Sequence, residues 1–314
     1  MIITKEYSVV KGEHYDSSYF DIVIENSKVV YLKDKDHVLF SYHRNALDNE
    51  KFFPILEKNY NNNILTSTNR GIAAGQKKKL IRTGILGYFD QLNPFQKLRL
   101  KGINRAGRTT KFLIKHYNKW LETLPLYQDI DKLYRKVTPK FYHEQKKEYY
   151  KINKNLRIPN TNFTTITVNR NWRTATHTDK GDLQKGLSCI VCIGNNKYTG
   201  GYLGFPKQKV LVKMRPGDVI FMDAHQPHCN SEIDFGKDGV RFSLVCYIRE
   251  LMKDYHYPVT SRGETFYLTP HDYEKYKKRI EKEQLQKLKQ KQKQREQQKK
   301  EKEKMKLLKK NEKK

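Results

Sequence analysis

The sequence predicts an α+β fold with a mainly β core: a double-stranded β-helix (jelly-roll, cupin-like) flanked by helices and followed by a charged tail. Three observations carry this reading. Between residues 160 and 250, short runs rich in β-branched and aromatic residues recur at close spacing, parted by turns at Gly200, Gly201 and at Pro216, Gly217, Asp218. Residues 109–150 switch to a helical period. Beyond Tyr273 the chain turns to Lys, Glu and Gln. The expected organisation is a single domain over 1–273, with N-terminal strands and helices in 1–160 and the catalytic core in about 160–250, then a tail over 274–314.

Taken in order, Tyr7–Val10, Tyr19–Ile24, Lys28–Leu32 and His37–Phe40 alternate like strands. They suggest a small antiparallel sheet extending the edge of the barrel. His37 and His43 lie there without ligand-like spacing and read as structural. Asn59–Asn63 is a turn cluster. Arg70–Gly75, ahead of Lys77–Lys79, is a tight turn or loop; without a Gly-Lys-Ser/Thr ending it is not a Walker-type phosphate loop.

A helix then starts from Thr109 or Thr110, with Leu113, Tyr117, Trp120, Leu121 and Leu124 on one stripe up to Pro125. A second stripe, Ile130, Leu133, Tyr134, Val137 and Phe141, continues around Pro139. The lysines and arginine opposite, Lys111 to Lys136, read as a solvated face. Core strands follow at Phe163–Val168, Leu187–Ile193, Met214–Met222 and Val240–Ile248. In the tail, Leu285, Leu288, Met305, Leu307 and Leu308 are too sparse for heptads, which leaves a single charged helix or a disordered segment.

Bulk properties narrow the function. No apolar run approaches the ~18 residues that span a bilayer, and Met1–Lys5 lacks the apolar stretch of a secretory signal, so a soluble intracellular protein with no membrane partner is expected. Four cysteines fit a reducing compartment. Cys189 and Cys192 sit three apart on a strand and face opposite ways, which argues against a redox or zinc pair. The net charge is +29, of which the tail over 274–314 holds +12 and the body +17. A basic body of that size implies a polyanionic partner, with a Lys-rich solvated surface as the plain alternative.

The chemistry centres on Arg173–Asp182. His177 and Asp179 are two residues apart, so one strand end or turn can aim an imidazole and a carboxylate at a single ion. His228 or His225 supplies the third ligand. Two histidines and one carboxylate make the facial triad of non-haem Fe(II) oxygenases. Arg241, Ser243, Val245 and Tyr247 share one strand face. A guanidinium beside a hydroxyl suits the distal carboxylate of 2-oxoglutarate, with Arg249 the other basic candidate. A cupin without chemistry, or with another metal, is the competing reading.

The run Arg173–Asp182, then Gly186 and Leu187, Gly217–Val219 and His228–Glu232, resembles the TET/JBP family of Fe(II)/2-oxoglutarate oxygenases. Those enzymes oxidise the methyl group of thymine or 5-methylcytosine in nucleic acid. Thr68–Gly75 and Gly84–Asp90 resemble parts of its N-terminal half, so the likeness spans roughly residues 65 to 250. It implies His177, Asp179 and His228 as metal ligands, Arg241 with Ser243 as the 2-oxoglutarate anchor, and Asp182 against the target base. Fe(II), 2-oxoglutarate and O2 are the implied cofactors, and nucleic acid, DNA above all, is the implied partner, in the nucleus or another site of DNA. A flipped base is required if the substrate is duplex. Thymine ranks just ahead of 5-methylcytosine, because it needs no separate methyltransferase. Two further classes are weighed: a hydroxylase of protein side chains or small molecules, which the triad alone allows, and a nonenzymatic basic nucleic-acid-binding protein.

Overall fold

The computed structural model describes residues 1–34, 36–60, 81–89, 106–260 and 263–311. Arg70–Gly75, Lys77–Lys79 and most of the Asn59–Asn63 cluster lie outside the described residues. The first strands are β1 (Ile2–Ile3), β2 (Ile22–Ile24), β3 (Lys28–Leu32) and β4 (Val38–His43), followed by helix α1 (Asn49–Asn59). Next come β5 (Thr83–Phe89), β6 (Ala106–Thr109), and helices α2 (Lys111–Lys115), α3 (Tyr117–Val137) and α4 (Pro139–Tyr149). The remaining strands are β7 (Thr165–Arg170), β8 (Ser188–Gly194), β9 (Thr199–Gly200), β10 (Leu203–Phe205), β11 (Val210–Val212), β12 (Val219–Met222), β13 (Cys229–Asn230), β14 (Ile233–Asp234), β15 (Arg241–Tyr247) and β16 (Tyr257–Val259). Helix α5 (Pro270–Asn311) ends the described chain.

The described strands form a large sheet, β1-β3-β4-β12-β8-β15-β7-β5-β6-β16, and a smaller one, β13-β10-β11-β2, with β14 and β9 as a short pair. They are two faces of a jelly-roll rather than a closed barrel. The period of two sorts the side chains of the central strands. From β8, Ile190 and Cys192 join Phe40, Tyr42, Phe205, Val210, Ile220 and Met222 in the core between the sheets. Phe40 stacks on Phe205 at 5.1 Å between centroids. The alternate residues meet the helices: Phe221 stacks on Tyr134 at 4.7 Å, and Phe242 lies 6.4 Å from Phe53. Each such side chain, fully buried, stabilises the fold by about 1.5–3 kcal/mol. Cys189 and Cys192, both buried and free, fall on opposite faces of β8, in keeping with their spacing.

The expected N-terminal sheet is divided between the two faces. β3 and β4 pair antiparallel and extend the large sheet through β4 and β12, whereas β2 pairs parallel with β11 in the smaller one. Tyr7–Val10 is not a strand, contrary to its alternation: it runs along the surface, with Val10 60% exposed. Alternation needs a partner edge to become a strand, and this segment pairs with none of the described strands.

Pro125 does not end its helix. α3 runs through it from Tyr117 to Val137, and the break falls instead at His116. Proline removes one hydrogen bond, to the carbonyl of Leu121, and that turn is exposed, so water can satisfy the oxygen. The buried stripe accordingly runs Tyr117, Trp120, Thr123, Leu126, Tyr127, Ile130, Tyr134, and Leu121 is 44% exposed rather than core. By contact the chain forms two compact units, Met1–Phe266 and Tyr267–Lys314; the second is mostly the helix α5. Among the described residues no helix is long and apolar enough to cross a membrane.

The turn into β12 is fixed by one buried carboxylate. Asp218 accepts from the Tyr42 hydroxyl at 2.5 Å, the Asn45 amide at 2.7 Å and the Arg215 amide at 2.7 Å, while Gly217 takes a φ of +92°. Asp218→Ala strands three donors at once. It should cost roughly 2–4 kcal/mol, read as a lowered midpoint in urea unfolding at unchanged slope.

Candidate active site

His177 lies in the segment between β7 and β8, and His228 in the segment between β12 and β13. The two meet as an antiparallel bridge, each amide donating to the other's carbonyl at 3.0 Å. Their rings are 4.3 Å apart. In each, Nδ1 lies 2.9 Å from the carbonyl oxygen two residues earlier, that of Ala175 or of Gln226. A carbonyl only accepts, so Nδ1 carries the hydrogen and the Nε2 lone pair is left facing inward. Asp179 completes the group: Oδ1 is 3.7 Å from Nε2 of His177, and Oδ2 is 3.7 Å from Nε2 of His228.

These separations are too long for hydrogen bonds. They surround a common point, with all the candidate ligand atoms within 4.8 Å of one another, as an ion held at about 2.0–2.2 Å requires. Burial, and then the neighbouring His177, push the imidazole of His228 down to about 4, so it is neutral at physiological pH, the form that binds metal. Asp179 is positioned by its amide, which donates to the Ala224 carbonyl at 2.9 Å.

His225 is outside this cluster. Its Nδ1 lies 3.0 Å from Asp223 Oδ1 and its Nε2 3.2 Å from the Asp182 carbonyl, so it braces the turn that follows Asp179. The segment that sequence alternation marked as a strand precedes a bracing arm. Gly12 donates to Thr176 and Thr176 donates to Glu13, both at 2.8 Å, which pairs the arm with the residue before His177. Arg173 ties the arm down through Asp16 at 2.6 Å, and Glu232 accepts from the Ser17 amide at 2.7 Å. Nothing local in the sequence signals these contacts.

Asp182 is buried. It accepts from the Ser188 hydroxyl at 2.8 Å, and its Oδ1 is 3.7 Å from Nη1 of Arg249. Arg249 also lies over the Phe89 ring at 5.0 Å. Gly181 is what admits it: a Cβ there would fall 2.1 Å from Nη1. Arg249 is therefore committed to the Asp182 turn.

Arg241 is different. It is 2% exposed, and its amide is held by Asn171 Oδ1 at 2.7 Å. Its Nε has no hydrogen-bond partner, and among the described residues no carboxylate lies within ion-pair distance of it. Ser243 stands two residues along the same face of β15, half-buried. A buried guanidinium without a counter-charge is costly, and an anion beside it removes the cost. The residues present fit a dicarboxylate cosubstrate.

A jelly-roll with a His–Asp–His cluster that could hold a metal, and a buried arginine with no carboxylate partner among the described residues, is the arrangement an oxygenase of the Fe(II)/2-oxoglutarate type needs. The Tet_JBP family model, the oxygenase domain of the 2OGFeDO superfamily, matches residues 86–250, and the chain belongs to that family. The matched domain is an oxygenase domain, and Fe(II), 2-oxoglutarate and O2 are the cofactors of that superfamily. It is similar to the thymine dioxygenase JBP1 of Leishmania braziliensis, 33% identical over 205 residues, which is 64% of this chain and 22% of that one. It is also similar to the bifunctional helicase and thymine dioxygenase JBP2 of Trypanosoma cruzi (strain CL Brener), 32% identical over 244 residues, 76% of this chain and 21% of that one. The chain thus spans about a fifth of the length of these relatives. Among solved structures, NgTET1 in complex with 5mC DNA has the same fold, with a TM-score of 0.54 at 20% identity over 90% of this chain and 92% of that one.

The cluster makes a direct prediction. His177→Ala and His228→Ala should each lower Fe(II) affinity at least ~10-fold, whereas His225→Ala should keep it within ~3-fold, measured by equilibrium metal titration. The reverse order would reassign the ligand. Removing residues 1–19 should also weaken the metal, because Thr176 loses its paired edge.

Proposed function

We propose that the chain oxidises the 5-methyl group of a pyrimidine in DNA, thymine ahead of 5-methylcytosine. In this reading His177, Asp179 and His228 hold the iron. Arg241 and Ser243 hold the far carboxylate of 2-oxoglutarate. The observation that carries it is the His–Asp–His cluster in a fold that also buries Arg241 with its Nε unpartnered, in a chain whose relatives are named thymine dioxygenases. When bound, Fe(II), 2-oxoglutarate and O2 supply the oxidising equivalents that convert a methyl to a hydroxymethyl group, with succinate and CO2 as co-products.

The chain's own residues orient and exclude. The Nδ1 hydrogen bonds of His177 and His228 keep both Nε2 atoms aimed at the ion. Asp182 supplies a carboxylate beside the metal-bearing turn, to accept from thymine N3–H or cytosine N4–H. Its contacts with Ser188 and Arg249 fix where that carboxylate sits. Thymine is ranked first because its methyl is present in any DNA and the relatives are named for it. The basic body, +17 without residues 274–314, favours a polyanionic substrate, and a site of action where DNA is found.

The discriminating assay offers matched duplexes containing thymine, 5-methylcytosine or neither, and follows succinate together with 5-hydroxymethyl nucleosides. Methyl oxidation on the thymine duplex is expected. Equal succinate from all three, with no altered base and with a basic peptide hydroxylated instead, would make this a protein hydroxylase. Asp182→Ala should abolish base oxidation and spare most of the uncoupled 2-oxoglutarate turnover.

Arg241→Lys keeps the charge and loses the planar fork. A KM for 2-oxoglutarate raised at least ~10-fold, with iron affinity unchanged, is expected. An unaltered KM would move the anchor elsewhere.

A further inference from the structure

A second charged constellation lies beside the active-site turn. Glu148, on the last turn of α4, has a side chain only 6% exposed and gathers lysines from three separate segments. Lys151 Nζ is 2.9 Å away, Lys185 Nζ 3.0 Å and Lys253 Nζ 3.8 Å. The hydrogen bonds from Lys151 and then Lys185 hold the Glu148 carboxyl down at about 2, so it stays ionised. Glu250 shares Lys253. The side chains of Lys151 and Lys185 remain 60% and 66% exposed, so the carboxylate fixes their ammonium groups at a surface open to water.

Next to this group Tyr150 is 62% exposed, more than any other described Tyr, Phe or Trp. It is flanked by two cations, Arg157 at 5.4 Å and Lys146 at 5.8 Å from its centroid. An exposed ring between cations, beside pre-positioned ammonium groups, is poorly explained as packing. It matches what single-stranded or unpaired nucleic acid asks of a surface: stacking for a base and charge for the adjoining phosphates.

The position is as telling as the composition. Lys185 follows Asp182 by three residues. The turn around Asp182 is stitched to the segment just after β15, with Glu250 donating to the Gly181 carbonyl at 3.0 Å and Leu183 to the Ile248 carbonyl at 2.9 Å. Gln145, one turn before Glu148 on α4, accepts from the Leu187 amide at 3.1 Å. The lysine group is thereby rigidly joined to the turn that carries Asp179 and Asp182.

We propose that Lys151, Lys185 and Lys253, gathered on Glu148, form a phosphate track that holds the nucleotides flanking the target, with Tyr150 as a stacking ring. This rests on the reading that the substrate is nucleic acid. Glu148 tunes the track: it orders the lysines and cancels part of their charge.

The test measures binding of a labelled thymine-containing strand, single and duplex, by fluorescence anisotropy across ~50 to ~200 mM salt. Full-length chain loaded with iron is used, and thermal melts check folding. The triple variant Lys151→Gln, Lys185→Gln, Lys253→Gln should bind at least ~10-fold more weakly, with a salt slope flattened by about two to three. Lys5→Gln, Lys28→Gln, Lys33→Gln, an equal charge loss near β1 and β3, should have a smaller effect on both. Glu148→Gln carries the opposite sign: tighter binding and a steeper slope, which a merely structural glutamate would not produce. Tyr150→Ala should weaken the single strand more than the duplex. A Glu148→Gln variant unchanged in binding, with the two triple variants alike, overturns the track while leaving a nucleic-acid substrate standing. A wild-type chain that binds neither strand, or that prefers polyglutamate, overturns both.

Discussion

The reciprocal backbone pair between His177 and His228 is the contact on which the site depends. Asn230 donates to the Thr174 carbonyl at 2.9 Å, and β13 pairs with β10, so the His177 segment is in effect one more strand of the smaller sheet. The Gly12–Glu13 arm lies outside it as the next. Two candidate ligands from segments fifty residues apart are thereby set by main-chain geometry. The side chains then add direction, through Nδ1 hydrogen bonds to carbonyls of their own segments. Preorganisation of this kind leaves little conformational entropy to be lost on metal binding.

Arg249, partly buried, and Arg241, fully buried, are handled in opposite ways. Arg249 has Asp182 and the face of Phe89. Arg241 has an unsatisfied Nε and, among the described residues, no carboxylate. A fold tolerates a desolvated charge when a ligand will complete it, and the contrast sets an arginine held by its neighbours apart from one whose Nε is left open. Sequence alone offers both as basic residues on or just past one strand.

What was legible follows from range. His177 and Asp179 could be read because their geometry is local, two residues on one turn. The strands around them could be read because β-branched alternation is local too, and β7, β8, β12 and β15 lie within a few residues of their expected places. The choice between His225 and His228 needed more than spacing, since both follow β12 closely; the backbone bridge to His177 separates them. Pro125 misled because its cost depends on whether water reaches one carbonyl, a tertiary matter. The arm at Gly12–Glu13 was illegible for the same reason: its partner, Thr176, is more than 160 residues away.

The pairing of β4 with β12 has a consequence for how such domains are delimited. The family match starts at residue 86, yet β12, the strand that leads to His228, pairs on its outer side with β4, which lies before that border. A fragment trimmed to the family borders would open that edge and uncover the apolar surface that Phe40 and Tyr42 now seal. It would also take Tyr42 and Asn45 away from Asp218. The smallest self-sufficient catalytic body in this chain is larger than the stretch by which its kinship is recognised, and the excess is sheet, not linker.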